Sequence, residues 1–155
     1  MTRDEDAVAR IVAQWARARP ELDSRPMQVI GRGGKDLHEW WDGEARAYLG
    51  LTVPGFPNLF CLYGPNTNIV INGSIVYFSE CGVRFILGLI EQALGSGKRA
   101  IEVKQDVHDD FNQQVDQANS KMAWGFSTVS SWYKNDSGRV AQNWPFTLLE
   151  YWQRT

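Results

Sequence analysis

Apolar residues recur with a helical period in three places along the chain. Val8, Ile11, Val12 and Trp15 fall at i, i+3, i+4 and i+7, which predicts a helix over 4–18 with one apolar stripe. Thr2 and Glu5 have capping-box spacing ahead of it, and Pro20 closes it. By default such a stripe packs on the rest of its own chain, and otherwise on a partner. Over 74–94 the pattern is broader. Ile75, Val76, Phe78, Val83, Phe85, Ile86, Leu87, Leu89, Ile90 and Leu94 cover nearly every face, which predicts a long buried helix ended by Gly95-Ser96-Gly97. Over 106–123, Phe111, Val115, Ala118 and Met122 make a single stripe, predicting a surface amphipathic helix.

Shorter patterns predict strands. MQVI at 27–30 precedes the turn Gly31-Arg32-Gly33-Gly34, and residues 100–103 alternate. The run Leu59, Phe60, Cys61, Leu62, Tyr63 reads as a buried strand, entered through the rigid Val53-Pro54-Gly55-Phe56-Pro57. It stops at Gly64-Pro65 and meets the polar Asn66-Thr67-Asn68 just before the long helix. Asn135-Asp136-Ser137-Gly138 predicts a turn, and Asn143-Trp144-Pro145-Phe146 an extended aromatic tail.

At 155 residues the chain is sized for one domain. A net charge of −2 with scattered basic residues removes any drive toward nucleic acid or anionic lipid. Glu80, Arg84 and Glu91 argue against a membrane span, since each ion near mid-bilayer costs roughly 2.5–3.5 kcal/mol. Glu80 and Arg84 also stand as an i, i+4 pair. Cys61 and Cys81 lie in apolar runs without a CxxC or a histidine nearby, so they read as small buried hydrophobes, with neither a disulfide nor a metal site. The charged opening MTRDEDAVAR predicts no secretory leader and a cytoplasmic location, so the triplets at Asn72 and Asn135 carry no glycosylation meaning. Gly31 and Gly33 fit two places of a dinucleotide-binding glycine loop, but Asp36 stands at the third and no helix pattern follows. His38, beside Glu39 and Asp42, reads as part of an irregular surface segment anchored by Trp40 and Trp41. Seven Trp, seven Phe and five Tyr are enough for a large core or an aromatic-lined pocket. Even so, a helix apolar on all sides needs a layer on each side, and the remaining elements barely supply them. The sequence reads as part of a larger sandwich.

Three stretches carry a resemblance: DLHEWWDGEARAYLGLTVPGFPNLFCLYGPNTN, NGSIVYFSECGVRFILG and SSWYKNDSGRVAQNWPF. Over residues 26–155 the chain resembles the C-terminal part of flavin-containing monooxygenases, especially the Baeyer–Villiger group that includes the hydroxyacetophenone monooxygenases. Residues 1–25 do not match what precedes this part in the family. The resemblance implies an α/β fold, the C-terminal fragment of the FAD-binding domain in a flavoprotein with two dinucleotide-binding domains. It implies FAD and NADPH as cofactors, and a reaction that places one oxygen atom of O2 into a ketone or onto a heteroatom. Gly64, Pro65, Asn66, Thr67, Asn68 and Asn72 would lie against the flavin, where the next helix presents unpaired N–H groups and about half a positive charge. For each of these asparagines, plain turn-making is the competing reading. Trp132 would lie near the nicotinamide cofactor, against the competing reading of a core tryptophan.

The family's two GxGxxG loops, its FxGxxxHxxxW fingerprint and its active-site arginine have no counterpart here, so no catalytic residue is assigned. The expectation is a chain that alone binds FAD weakly or not at all and is inactive. Its partner would be the missing N-terminal portion of an enzyme or a second copy. Two further readings stand beside it: a non-catalytic module docking through the apolar helix, and an independent small-molecule binder. The substrate is not legible.

Overall fold

The computed structural model describes residues 27–70, 73–128 and 130–155, so the helix predicted over 4–18 lies outside the described residues. Among the described residues four α-helices order the fold: α1 (Leu37–Trp41), α2 (Ile75–Gly95), α3 (Gln105–Ser120) and α4 (Leu148–Arg154). Short side chains set their starts. Asp36 accepts from the N–H groups of His38 and Glu39, and Ser74 Oγ accepts from Tyr77 N at 3.3 Å. Thr147 and Glu150 close a reciprocal capping box on α4, so the aromatic tail is extended only as far as Phe146.

The larger core gathers Leu49, Leu51, Phe78, Cys81, Phe111, Val115, Trp144 and Tyr151. Phe78 of α2 stacks on Tyr151 of α4 with ring centroids 3.5 Å apart, and Trp144 meets both edge-on. Each large side chain buried this way contributes about 1.5–3 kcal/mol. A second core joins Leu37, Ala47, Val53 and Phe56, with Trp40 and Trp41 packed against it, so these tryptophans are anchors as expected, but they sit on helix α1 and not on the irregular segment the sequence suggested. The segment 47–53 links the two cores. It folds back at Tyr48↔Thr52, with Leu49 and Gly50 in the left-handed region at φ 54° and 71°.

Two expectations need correction. The strands predicted at 27–30, 59–63 and 100–103 are absent among the described residues, which hold only isolated bridges and are mainly helical. Asn58 and Tyr63, bracketing 59–63, take left-handed φ of 61° each, and Leu62 and Tyr63 are exposed. A strand exists only when neighbours take up its N–H and C=O groups. Here Cys61 N reaches Leu51 O at 2.8 Å, and residue 101 is held by Asn58, through its N–H and its side-chain oxygen. The second correction concerns α2. It runs where predicted but buries only Phe78, Cys81 and Gly82, while Val76 and Leu94 are 65% and 74% exposed. The chain covers one side of this helix and leaves the other bare. No helix among the described residues is long and apolar enough to cross a membrane.

Candidate functional site

The loop 64–68, expected from the resemblance to lie against the flavin, is clasped from behind by residues 139–144. Its N–H groups at Asn66 and Asn68 donate to Ala141 O and Gln142 O at 3.1 and 2.8 Å, and Trp144 N donates back to Asn68 O at 2.9 Å. Asn66, only 3% exposed, sits at φ 57°, a conformation asparagine tolerates better than most residues. Its Nδ2 donates to Val140 O at 2.8 Å and Asn143 O at 3.2 Å, and its Oδ1 accepts from Arg139 Nη2 at 2.8 Å. Asn68 Nδ2 donates to Asn143 Oδ1 at 2.9 Å. Thr67 is buried and donates its hydroxyl to Gly64 O at 2.7 Å.

Gly64 is fixed by packing. A Cβ there would stand 2.3 Å from Gly50 O, so the two backbones touch. Pro65 is half-buried beside it. Asn72 lies outside the described residues. Trp132 is 53% exposed, leans on Tyr133 with centroids 4.2 Å apart, and accepts Gln142 Nε2 at its carbonyl. Because Gln142 also takes the N–H of Asn68, one residue ties Trp132 to the loop.

Behind the loop lies a charged network the sequence reading missed. Arg139 Nε donates to Asp116 Oδ1 at 2.9 Å and its Nη1 to Ala45 O at 3.1 Å, while Arg46 Nη1 reaches Asp116 Oδ2 at 2.6 Å. Burial lowers the proton affinity of the Arg139 guanidinium, Asp116 opposes that, and Arg46 adds to it. Glu44 accepts from Ser137 Oγ and from Asn135 Nδ2, which fastens the 135–138 turn. From α3, Asn119 Nδ2 donates to Asn143 O at 3.1 Å and its Oδ1 accepts Trp124 Nε1 at 2.8 Å. A signal for this existed. His108, Asn112 and Asn119 share the helical spacing of Phe111 and Val115, so polar residues stand on the buried stripe of α3.

The clasp can hold a loop in one shape; it offers little to a ligand directly. Every hydrogen-bonding group of the Asn66 side chain is engaged within the chain. Asn143 Nδ2 and His108 Nε2 are the buried side-chain atoms without a partner among the described residues. His108 Nδ1 pairs with Asp109 Oδ1 at 2.8 Å, and that bond holds the Asp109 carboxyl below its usual range. No group of three or more metal-binding side chains forms among the described residues.

No family profile matches the chain. Individual proteins do. It is 38% identical over 130 residues to an uncharacterised monooxygenase of Sinorhizobium fredii, covering 82% of this chain and 19% of that protein. It is 33% identical to an FAD-binding monooxygenase of Aspergillus niger, covering 81% and 21%. It is 36% identical to a Baeyer–Villiger monooxygenase of Pseudomonas aeruginosa, covering 76% and 22%. The chain thus spans about a fifth of the length of these relatives. Among solved structures it superposes on oxidised steroid monooxygenase bound to NADP with a TM-score of 0.70 and 27% identity, over 82% of this chain and 24% of that one. On the closed form of cyclohexanone monooxygenase the TM-score is 0.68 at 26% identity, over 85% and 25%.

Proposed function

This chain belongs, as a segment, to the FAD-binding, Baeyer–Villiger-type monooxygenases, and on that premise we propose that it furnishes one wall of a flavin and NADPH site whose other walls lie in sequence beyond it. Bound FAD and NADPH would supply the redox chemistry, and this chain would shape the space around them. Gly64, Pro65 and the backbone of 64–68 form the face toward the flavin, and the role expected for Asn72 belongs to the same proposal. Trp132 offers an indole face to the nicotinamide cofactor. Asn66, Thr67 and Asn68 act as positioning residues: Asn66 and Asn68 bond the clasp and Thr67 bonds Gly64 O within the loop.

One observation carries this reading. The loop is locked from behind by Arg139, Asn143 and Gln142, while the indole linked to it stands open to solvent. That is the division of labour a binding surface needs: supporting groups satisfied, contact groups free. The fit is to a wall only. The glycine turn at 31–34 stands ahead of α1, but Asp36 takes the N–H groups of His38 and Glu39 there, so that turn is no cradle for a pyrophosphate, and the Asn66 amide is spent on Val140 O and Asn143 O. The parent reaction is insertion of one oxygen atom of O2 into a ketone or onto a heteroatom. A preference of the hydroxyacetophenone kind belongs to the same proposal.

The test is co-purification. Expressed alone, the chain is expected to come off the column colourless and to leave NADPH unoxidised. Expressed with the upstream portion of a relative, it is expected to retain FAD and to support NADPH oxidation. Stoichiometric FAD binding by the chain alone, or a colourless complex, would overturn the proposal. A second reading, a non-catalytic docking module, is favoured by the bare face of α2. It predicts a complex that forms without any cofactor.

A further inference from the structure

The segment 139–144 is bonded along both of its edges. On one edge it runs parallel to the loop at 64–68: Asn66 N donates to Ala141 O at 3.1 Å, Asn68 N to Gln142 O at 2.8 Å and Trp144 N to Asn68 O at 2.9 Å. On the other edge it runs antiparallel to 133–135. Lys134 and Val140 form a bridge, Asn135 N donates to Arg139 O at 2.9 Å and Ala141 N to Tyr133 O at 3.0 Å. An antiparallel ladder would continue by returning Tyr133 N to Ala141 O. It stops instead, because the loop takes Ala141 O and Tyr133 N turns to Ser131 Oγ at 3.2 Å. Trp132 thus lies one residue past the last rung. The Gln142 side chain makes the next tie, donating from Nε2 to Trp132 O at 3.1 Å, while its own carbonyl holds Asn68.

We propose that Gln142 is a positioning residue that sets the spacing between the nicotinamide-facing indole of Trp132 and the flavin-facing loop at 64–68. This rests on the reading of the chain as one wall of a flavin and NADPH site. The indole is 53% exposed and leans on Tyr133, so packing fixes it weakly and the hydrogen bond to its backbone matters more. The side chains of Arg139 and Asn143 bond Asn66 and Asn68 of the loop, leaving Gln142 to reach Trp132. The chemistry of the tie demands an amide: Trp132 O needs a donor, and a carboxylate of the same shape has none to give. The linkage spans a single residue. A shift of the loop therefore passes to the indole through Gln142 alone, with backbone on one side of it and side chain on the other.

Two variants test the tie. Gln142→Met keeps the length of the side chain and removes the donor; Gln142→Glu keeps the shape and sets a carboxylate against the carbonyl. In the chain alone, labelled with fluorotryptophan, each is expected to move the fluorine signal of Trp132, identified by its loss in Trp132→Phe. The signals of Trp40 and Trp41, in the second core, should stay in place. In a complex with the upstream portion of a relative, Gln142→Met is expected to raise the KM for NADPH severalfold at parental FAD retention, and Gln142→Glu to raise it further. In a Trp132→Ala background, Gln142→Met should raise KM no further, an outcome that a general loss of stability would not produce. If the parent complex oxidises NADPH, then an unmoved Trp132 signal, an unchanged KM or a loss of FAD in step with the rise in KM would overturn this assignment and leave the cofactor reading standing. A parent complex that keeps no FAD would overturn the cofactor reading and this assignment with it.

Discussion

Asn66 shows how much one side chain decides. Three partners from residues 139–143 converge on its amide, and its backbone is left-handed. Asn66→Ala takes the partner from Val140 O and from an Arg139 N–H, while Asn143 O keeps its bond from Asn119 Nδ2, at roughly 1–3 kcal/mol for each buried group left unsatisfied. The expected outcome is a loss on the order of 3 kcal/mol in urea unfolding, with Asn66→Gly no better, because the bonds and not the φ angle dominate. A glycine variant restored to parental stability would show that the bonds contribute little. Asp36 gives a pH signature. Burial works against its charge, but the N–H groups of Glu39 and His38 outweigh that and hold the carboxyl below its ordinary 3.8. A depressed folded pKa means the stabilisation is complete above the unfolded value and is lost as pH falls through the folded one. Between pH 5 and pH 3, both near the ordinary carboxyl range, the urea midpoint is expected to fall less in Asp36→Asn than in the parent. Equal falls would rule Asp36 out as a contributor. The sequence singled out the asparagines of 66–68 but gave turn-making and ligand contact equal standing. Contacts to 139–143, more than seventy residues away, assign them to the clasp.

At the scale of elements, periodicity located α2 to within one residue at each end and α3 to within three, since 3.6-residue spacing is a local property. It misjudged how deeply α2 is covered. Apolar residues all round a helix say that every face needs a neighbour, without saying that the neighbours lie in the same chain. The two faces should answer mutation differently. Phe78→Ala removes a ring stacked on Tyr151 and is expected to cost about 3–5 kcal/mol. Leu94→Lys, at the exposed end of α2, is expected to stay within about 0.5 kcal/mol of the parent. Chemical denaturation of both variants checks this, and a large loss in Leu94→Lys would mean that this end of α2 is covered. The predicted strands failed for the complementary reason. A helix closes its own hydrogen bonds, whereas 59–63 depends on neighbours, and it finds a turn bond from Leu59 N to Phe56 O and an isolated bond from Cys61 N to Leu51 O where a strand needs a ladder.

For the whole molecule, the bare side of α2, a 59–63 segment that forms no strand and a span of about a fifth of the relatives' length are three observations that the proposal of one wall in a larger site accounts for together. Reconstitution with an upstream portion therefore belongs to this scale, with FAD retention as its readout. The sequence alone determined which residues form the two long helices, where the turn at 135–138 falls, and which family the GPNTN and SSWY runs point to, because each rests on local spacing or on a run of identities. Only the tertiary structure decided that Arg139, Asp116 and Asn143 brace the loop at 64–68, that residues 47–53 link two cores, and that α2 is covered on one side. Those outcomes depend on groups distant in sequence meeting in space, and no local period records which distant groups meet.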